Sequence, residues 1–521
     1  MRAINVLLSV LISLLIGLLV FEGGLRVIGL GPPNTLNQFD ADTGWSKKAN
    51  HEVTRHLSTG VITLETNALG LRDDPMTSFA KPADTFRVVM LGDSFTLGYT
   101  VNREDLFVDI LEKHWQAEGR KVEVLNVGTE GWSTDQEVAW LLAHGEEVKP
   151  DLVVLLPYDN DVFWCGEEMY TAFPKPVFTA DGELESRTFV DQTTGLDRTT
   201  AFGRLISPNP TTPTFTTSGG KELPGDFSIL LNKAPSILGD APARAKGALS
   251  ALKSKCSDLG SALVIAPIPS NASVDADFAS EFGSKVFGVG GGEWSADRAI
   301  EFFLASAGEL GIRTADARAS LKTAHAKESC YFDYFEADRE WHFNANGNRV
   351  FASFLAGQLN DILPAATGKD TSLAMAGVHA GDAGGLPFWL KLYLVLWVAL
   401  TTLYFVNYRD EAFFLPPIKV GLLLAVVIGT FKLVGFGAAE LAAYDPSLAK
   451  LLVPVLIAGI LIFVAYKMGN RLATIIELIK AFVLRGHWYL MPLVVVLLTI
   501  GSLLVVAASS PLVAPFIYTL F

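Results

Sequence analysis

The side chains that could do chemistry are an early serine, a late histidine and two acids beside that histidine. Ser94 follows the apolar run 88–91 in the stretch FRVVMLGDSFTLGY, and His342 ends the block DREWH at 338–342. A serine hydroxyl becomes a good nucleophile when an imidazole accepts its proton, and a carboxylate then holds the imidazole and stabilises its charged form. These residue types predict Ser94 as a nucleophile and His342 as its base, with Asp338 and Glu340 as the neighbouring acids.

Donors for a tetrahedral oxyanion are found in two further blocks. The sequence NVGTEG at 126–131 and the sequence YDND at 158–161 each follow an apolar run. A glycine lets the backbone approach a substrate closely, and an asparagine amide donates a hydrogen bond without carrying charge. We therefore expect the backbone N–H groups of Ser94 and Gly131 and the amide of Asn160 to stabilise the oxyanion. Asp93 is expected to be a structural hydrogen-bonding residue.

The spacing of apolar residues predicts how these blocks meet. Continuous apolar runs predict strands, and helical spacing predicts helices between them. The strands are predicted at 87–91, 122–126, 152–156, 262–268 and 312–315, and the helices at 102–118, 134–147, 241–259, 296–310 and 345–359. This alternation predicts an α/β fold with a doubly wound parallel sheet, in which the ends of the first three strands lie side by side. Ser94, Gly131 and Asn160 should then converge at one edge.

Together, these four blocks resemble those of the SGNH/GDSL hydrolases, a family of flavodoxin-like esterases and acyltransferases. The resemblance covers about residues 40–362. It implies that Ser94 is the nucleophile, that Gly131 and Asn160 form the oxyanion hole, and that His342 is the base. The stretch before the first strand contains TNALGLRDD at 66–74 and looks like membrane-anchored members associated with bacterial cell-surface polysaccharide assembly.

Two blocks depart from the family pattern. The third block is usually Gly-x-Asn-Asp, and here Tyr158 replaces the glycine, which is expected to reshape the oxyanion pocket. The last block is usually Asp-x-x-His or Asp-x-His. The two-residue register selects Glu340 as the partner of His342, whereas residue type selects Asp338, and we slightly prefer Asp338. No metal-ligand pattern and no cofactor motif accompanies these residues.

Composition indicates a water-soluble domain joined to membrane spans. Half of the 521 residues are hydrophobic and 18% are charged, and the mean hydropathy is +0.34. The net charge of −14 argues against nucleic-acid binding, which needs a basic surface. If the soluble part is exported, two of the three cysteines, Cys165, Cys256 and Cys330, could pair and leave one over.

Apolar segments at both ends predict a multi-pass membrane protein. Residues 3–21 carry no charge and read as an uncleaved anchor, with a cleaved signal peptide as the alternative. Four further runs are predicted to span the bilayer, at 387–406, 418–436, 451–466 and 488–508, of which the third is short and could be tilted or interfacial. The basic loops after the first and third runs are predicted to be cytoplasmic, which places the soluble domain outside. The part from about residue 474 onward resembles a short uncharacterised bacterial membrane family.

These segments define the predicted organisation: an anchor at 1–30, an approach segment at 31–85, a hydrolase domain at 86–363 with an insertion at 163–240, a linker at 364–386, and a membrane domain at 387–521. The insertion is expected to be either a substrate-facing cap or a surface excursion. Trp132, Trp164 and Trp341 could stack on sugar rings, although ordinary packing is the simpler expectation for each. The membrane helices exceed what anchoring needs, so other membrane proteins are expected partners besides the lipid bilayer.

The predicted function is that of a serine esterase or O-acyltransferase in the bacterial cytoplasmic membrane, acting on an acylated cell-surface glycan on the periplasmic or extracellular side. The alternative is a structural subunit of a membrane complex that has the hydrolase fold but performs no chemistry. The two differ in one geometric respect, because an enzyme needs His342 within hydrogen-bonding reach of an accessible Ser94.

Overall fold

The structure is a computed structural model that describes residues 34–57, 60–171, 173–185, 189–191, 212–290, 292–335 and 340–366, with a few isolated positions elsewhere. The chain divides into two units, one made of residues 34–194 and 208–383 and the other of residues 1–33, 195–207 and 384–521. Within the described residues no helix combines the length and the apolar character needed to cross a bilayer. The spans predicted between 3 and 21 and between 387 and 508 lie almost entirely outside the described residues.

Five parallel strands form the central sheet of the first unit. They are β5 (Phe86–Gly92), β6 (Val122–Asn126), β7 (Leu152–Leu156), β12 (Ala262–Ile265) and β13 (Arg313–Thr314). Their order is β13-β12-β7-β5-β6, so β5 lies between β7 and β6. All pairs in this sheet are parallel, and Met90 pairs with both Asn126 and Val154. The α/β fold with a parallel sheet is therefore confirmed, and the order is that of flavodoxin-like sheets.

Helices cover both faces of the sheet because alternate side chains of each strand point to opposite sides. Val89, Leu91 and Val153 belong to one buried cluster, and Val88, Met90 and Val154 belong to another. The first cluster takes in the helices Thr134–Val148, Ala241–Leu259 and Arg298–Glu309. The second takes in the helices Phe107–Ala117, Arg318–His325 and Ala345–Leu359. The domain is thus doubly wound.

Four predicted elements are shorter than their sequence patterns suggest. The helix predicted at 296–310 is Arg298–Glu309, and the strand predicted at 312–315 is Arg313–Thr314. The helix predicted at 102–118 is a 3₁₀ turn at Arg103–Asp105 followed by a helix from Phe107, because Leu106 between them has an extended backbone. The strand predicted at 262–268 ends at Ile265. Pro267 follows, and a proline has no N–H to continue the ladder. Short helices that the sequence did not predict lie at Ser94–Leu97, Asp161–Trp164, Asn271–Val274, Ala276–Phe282 and Arg318–His325.

Two antiparallel hairpins precede the sheet, within the predicted approach segment. The first pairs β1 (Asn37–Asp40) with β2 (Gly44–Lys47), and the second pairs β3 (Glu52–Leu57) with β4 (Gly60–Glu65). Two shorter hairpins lie within the predicted insertion and pair β8 (Met169–Tyr170) with β9 (Phe173–Pro174), and β10 (Thr214–Thr216) with β11 (Glu222–Pro224).

The three cysteines do not pair. Cys165, Cys256 and Cys330 are all free thiols, and all three are buried. None of the pairings that the sequence left open is therefore formed in this fold. Cys256 belongs to the buried cluster on one face of the sheet and Cys330 to the cluster on the other face.

Candidate active site

Ser94 lies at the start of the short helix that follows β5, at the carboxyl end of the sheet. Asp93 caps this helix, because its carboxylate accepts a hydrogen bond from the Phe95 N–H at 2.8 Å. Burial raises the pKa of Asp93 to about 6, although the charge of His342 and the Phe95 N–H act against that rise. Ser94 itself is half-buried. The tight turn thus holds the serine at the protein surface, and Asp93 has the structural position expected from the sequence.

His342 contacts Ser94 across a large separation in sequence. The Nε2 atom of His342 lies 2.7 Å from the Ser94 Oγ, and the two residues are 248 positions apart in the chain. The Nδ1 atom on the other side of the ring contacts the Glu340 Oε1. Both His342 and Glu340 are buried, with 5% and 7% of their surfaces exposed. The three side chains form a continuous chain from a carboxylate through an imidazole to a hydroxyl.

Glu340 occupies the position for which the sequence left two acids open. Its backbone neighbour Trp341 donates an N–H to the same Oε1 at 3.0 Å, so the side chain folds back toward the His342 ring. The longer side chain of glutamate can reach a histidine that lies only two residues further along the chain. Asp338 lies outside the described residues. The preference for Asp338 by residue type therefore stays a prediction, while among the described residues Glu340, which the two-residue register selects, is the acid in contact with Nδ1.

Glu340 is strongly held in its ionised form. Burial on its own would raise the pKa of Glu340. The charge of His342, the hydrogen bond to its ring, the charge of Arg55 and the Trp341 N–H together outweigh burial and lower that pKa to about 2. A carboxylate that is ionised throughout the neutral range can stabilise the imidazolium that forms when His342 accepts a proton.

Gly131 and Asn160 follow the two strands that flank β5. Gly131 has a φ of +74°, and a Cβ at this position would lie 3.1 Å from the Tyr170 ring, so a side chain here would be strained and crowded. Asn160 directly precedes the helix Asp161–Trp164, and its amide oxygen is buried without a hydrogen-bond partner among the described residues. Since β6 and β7 are the neighbours of β5, both residues lie at the sheet edge that carries Ser94.

Tyr158 packs against the residue next to the nucleophile. The Tyr158 and Phe95 rings have centroids 4.5 Å apart, and the Phe95 ring lies 4.4 Å from the His342 ring. Phe343 lies on the same aromatic cluster, 5.2 Å from Phe95. The bulky residue that replaces the usual glycine thus forms part of an aromatic layer that supports the imidazole.

Three polar residues near this site were not predicted from the sequence. Arg55 on β3 places its Nη2 atom 3.6 Å from the Glu340 Oε2. Its guanidinium carbon lies 3.2 Å from the centre of the Tyr99 ring. The Tyr99 hydroxyl bonds in turn to Glu130, whose pKa is raised by burial despite that bond. The stretch EVTRHL on β3 has the alternation of an exposed strand, and no motif in it points to catalysis.

The three tryptophans considered for sugar stacking have different surroundings. Trp132 and Trp164 are each only 1% exposed, so they are packing residues. Trp341 is 43% exposed and lies nearly parallel to the His342 ring, at an angle of 18° and a centroid distance of 6.0 Å. Tyr334 lies beside it, with a centroid distance of 5.8 Å. One exposed indole therefore adjoins the proposed base.

No cluster of three or more histidine, cysteine, aspartate or glutamate residues in the described part of the chain is arranged to hold a metal ion.

Comparison with known proteins gives matches at the C-terminus and in the fold. Residues 472–521 match a family of unknown function, DUF5989. Among solved structures, TesA has 14% identity and a TM-score of 0.30, covering 53% of this chain and 99% of its own. An acetyl xylan esterase, AlAXEase, has 13% identity and a TM-score of 0.30, with coverage of 53% and 100%. A lipolytic protein of the G-D-S-L family from Veillonella parvula DSM 2008 has 15% identity and a TM-score of 0.29, with coverage of 53% and 98%. No curated protein matches this sequence.

Proposed function

We propose that this protein is a serine ester hydrolase or O-acyltransferase. The observation that carries the proposal is the contact of the Ser94 Oγ with the His342 Nε2 at 2.7 Å, together with the contact of the His342 Nδ1 with Glu340. An imidazole that is oriented by a buried carboxylate and touches a half-buried serine has the arrangement that activates a serine for acyl transfer.

Each step of the proposed reaction is assigned to particular residues. The Ser94 Oγ attacks the ester carbonyl while the His342 Nε2 accepts the hydroxyl proton, and Glu340 stabilises the resulting imidazolium. The N–H groups of Ser94 and Gly131 and the amide of Asn160 are proposed to bind the oxyanion. The Nε2 proton then passes to the leaving alcohol, and an acyl-serine remains. Water or a sugar hydroxyl next attacks the acyl group, gives its proton to Nε2, and Ser94 regains its own.

The test of this proposal is labelling of the full-length protein in detergent with a fluorophosphonate probe. The wild type is expected to be labelled, and Ser94→Ala and His342→Ala are expected to abolish labelling. Ser257→Ala serves as a matched control because Ser257 lies on the surface helix Ala241–Leu259 and only bonds the Lys253 carbonyl. A folded, monodisperse wild type that takes up no probe would overturn the enzyme proposal and favour the structural-subunit alternative.

We propose an acylated glycan as the substrate, because Trp341 offers an exposed aromatic face beside His342. Sugar rings bind through their apolar C–H faces to such surfaces. A loss of about 1.4 kcal/mol of stacking corresponds to about a tenfold loss of kcat/KM. Trp341→Ala is therefore expected to lower kcat/KM for an acetylated oligosaccharide about tenfold more than for p-nitrophenyl acetate, and Trp341→Phe less so.

An equal effect of Trp341→Ala on both substrates would contradict the glycan assignment and leave the esterase proposal standing. A compound without a sugar measures the chemistry of Ser94 and His342 alone, so the ratio of the two substrates separates the two claims.

We propose that the catalytic domain lies on the periplasmic or extracellular side of a bacterial cytoplasmic membrane. The support is the distribution of lysine and arginine over residues 387–521, where six of the nine lie in the segments 409–419 and 467–485. A phosphatase that folds only outside the cytoplasm is expected to be active when fused after residue 363 and inactive when fused within 467–485. The opposite pattern would overturn this orientation.

A further inference from the structure

Three cations on the approach segment reach the loops that form the proposed site. Lys47, Arg55 and Arg72 all lie in the first part of the described chain, before β5. Lys47 and Arg72 are 4% and 0% exposed, and the side chain of Arg55 is 20% exposed. Long basic side chains are seldom fully buried unless they have partners, so the partners of these three indicate what the approach segment does.

Lys47 and Arg72 form hydrogen bonds with backbone carbonyls of two loops that lie on either side of the nucleophile. The Lys47 Nζ donates to the carbonyls of Val127 and Gly128 and lies 2.8 Å from the Thr129 Oγ1, within the loop that carries Gly131. The Arg72 guanidinium donates to the carbonyls of Leu97, Gly98 and Val101 at 2.8, 2.6 and 2.8 Å, respectively. The second set follows Ser94 directly. Both cations act on the main chain and stabilise the shape of the two loops.

Arg55 differs because it contacts a member of the proposed catalytic chain. The Glu340 Oε1 is engaged by the His342 Nδ1 and by the Trp341 N–H. The other oxygen, Oε2, faces the Arg55 guanidinium at 3.6 Å. With both oxygens engaged, the carboxylate plane is fixed relative to the imidazole. Arg55 is fixed in turn by Tyr99, whose carbonyl accepts its Nη1–H at 2.6 Å and whose ring lies against its guanidinium.

The charges around His342 make a cation at this place important. Asp93 and Glu130 both act on His342 from neighbouring elements. The Tyr99 ring lies 5.7 Å from that of His342, and Tyr99 and Tyr158 both interact with Glu340. Glu340 adds a third carboxylate. Arg55 is the guanidinium that acts on Glu340 and on Glu130, and its charge opposes the excess negative charge next to the imidazole.

Resting on the proposed function, we infer that Arg55 is a positioning residue of the active site: it holds Glu340 in the orientation that His342 needs and balances the local negative charge. The hairpin β3–β4 is therefore part of the catalytic apparatus. Loss of Arg55 should have two effects, a slower reaction because Glu340 is less well oriented, and a stronger preference for the protonated imidazole because a positive charge has been removed.

The experiment measures the rate of fluorophosphonate labelling against pH for the wild type, Arg55→Met and Arg55→Lys. Arg55→Met is expected to lower the maximal labelling rate about tenfold or more. The acidic limb of the pH–rate profile, where the rate rises with pH, is expected to move upward by about half to one pH unit. Arg55→Lys keeps the positive charge, so the acidic limb of its pH–rate profile should lie near that of the wild type. Part of the labelling rate should be lost, because lysine cannot make the contacts of the guanidinium. Lys121→Met is the control, since it removes an ammonium that is 72% exposed.

A merely structural role for Arg55 would lower labelling by the same factor at every pH, in step with the folded fraction. That result, or a wild-type profile for Arg55→Met, would overturn the inference. If Arg55→Met fails to fold, Arg55→Gln replaces it. In a Glu340→Gln background the removal of Arg55 should no longer lower the maximal rate, because the carboxylate that it orients is absent. A wild type that is never labelled would reject the proposed function instead.

Discussion

His342 is held by aromatic rings on its faces and by polar atoms on its edges. Phe95, Tyr99 and Trp341 place their ring centroids 4.4, 5.7 and 6.0 Å from that of His342. The two nitrogens meet Ser94 and Glu340. Packing thus limits tilting of the ring while the hydrogen bonds fix its rotation, so the imidazole needs little reordering before it accepts a proton.

The first prediction concerns the choice between the two acids. Glu340→Gln is expected to lower kcat for ester hydrolysis about 1,000- to 10,000-fold, because an amide cannot stabilise the imidazolium and favours the wrong tautomer. Asp338→Asn is expected to cost less than about tenfold on the same scale. Steady-state kinetics with p-nitrophenyl acetate measures both variants. The reverse order of losses would return the role to Asp338.

At the scale of elements, the helix Thr134–Val148 contains an acid with no partner. Glu137 is completely buried, and both of its carboxylate oxygens lack a hydrogen-bond partner among the described residues. Burial raises the pKa of Glu137 well above its ordinary value, and the charges of Asp161, Asp93 and Asp135 raise it further. The folded protein therefore keeps this proton at a pH at which the unfolded chain has lost it.

The second prediction follows from that difference in proton binding. Since the folded state binds the extra proton, the free energy of unfolding falls as pH rises above about 4.3, the ordinary value for glutamate. Glu137→Gln removes this dependence and is expected to raise the Tm of the full-length protein at pH 8 by about 2–4 °C, with little change at pH 4.5. Glu147→Gln changes an exposed acid on the same helix and should alter neither value. Equal shifts at both pH values would exclude the titration as the cause.

Sequence patterns predicted the elements whose spacing of apolar residues shows directly which residues are buried. They missed features that depend on contacts with residues distant in the sequence. The strands at 122–126 and 152–156 and the helix at 345–359 have the bounds expected, because continuous apolar runs and helical spacing report burial directly. The helix Ser94–Leu97 is too short to show a period. Arg55 was missed because its partner Glu340 is brought to it by the tertiary fold alone. Residue type could not decide between the two acids near His342, because the contact of Glu340 with Nδ1 depends on how the chain folds back at Trp341.

At the scale of the whole molecule, the reactivity of the three cysteine thiols reports how tightly the described domain is packed. Cys165, Cys256 and Cys330 are at most 2% exposed. Burial raises the pKa of Cys256 to about 12 and that of Cys330 to about 11, with Glu328 adding to the second, and it raises the pKa of Cys165 well above its ordinary value. Neutral, enclosed thiols react slowly, because the thiolate is the reactive form.

The third prediction is that a soluble maleimide modifies none of the cysteines in the native protein and all three after unfolding in guanidinium chloride. A reducing agent should leave the Tm and the gel mobility unchanged. Mass spectrometry counts the modified sites. A reductant-sensitive mobility would show that two of the thiols had paired.

The long separation between Ser94 and His342 determines when the proposed active site is completed during synthesis of the protein. The serine leaves the ribosome 248 residues before the histidine does. Throughout that interval the nascent chain contains a hydroxyl without its base, which is as unreactive as any other serine. The proposed site is complete only after nearly all of the domain has been made and the last helix has packed against the sheet. A chain that ends before residue 340 lacks Glu340 and His342, so its Ser94 is not expected to attack esters.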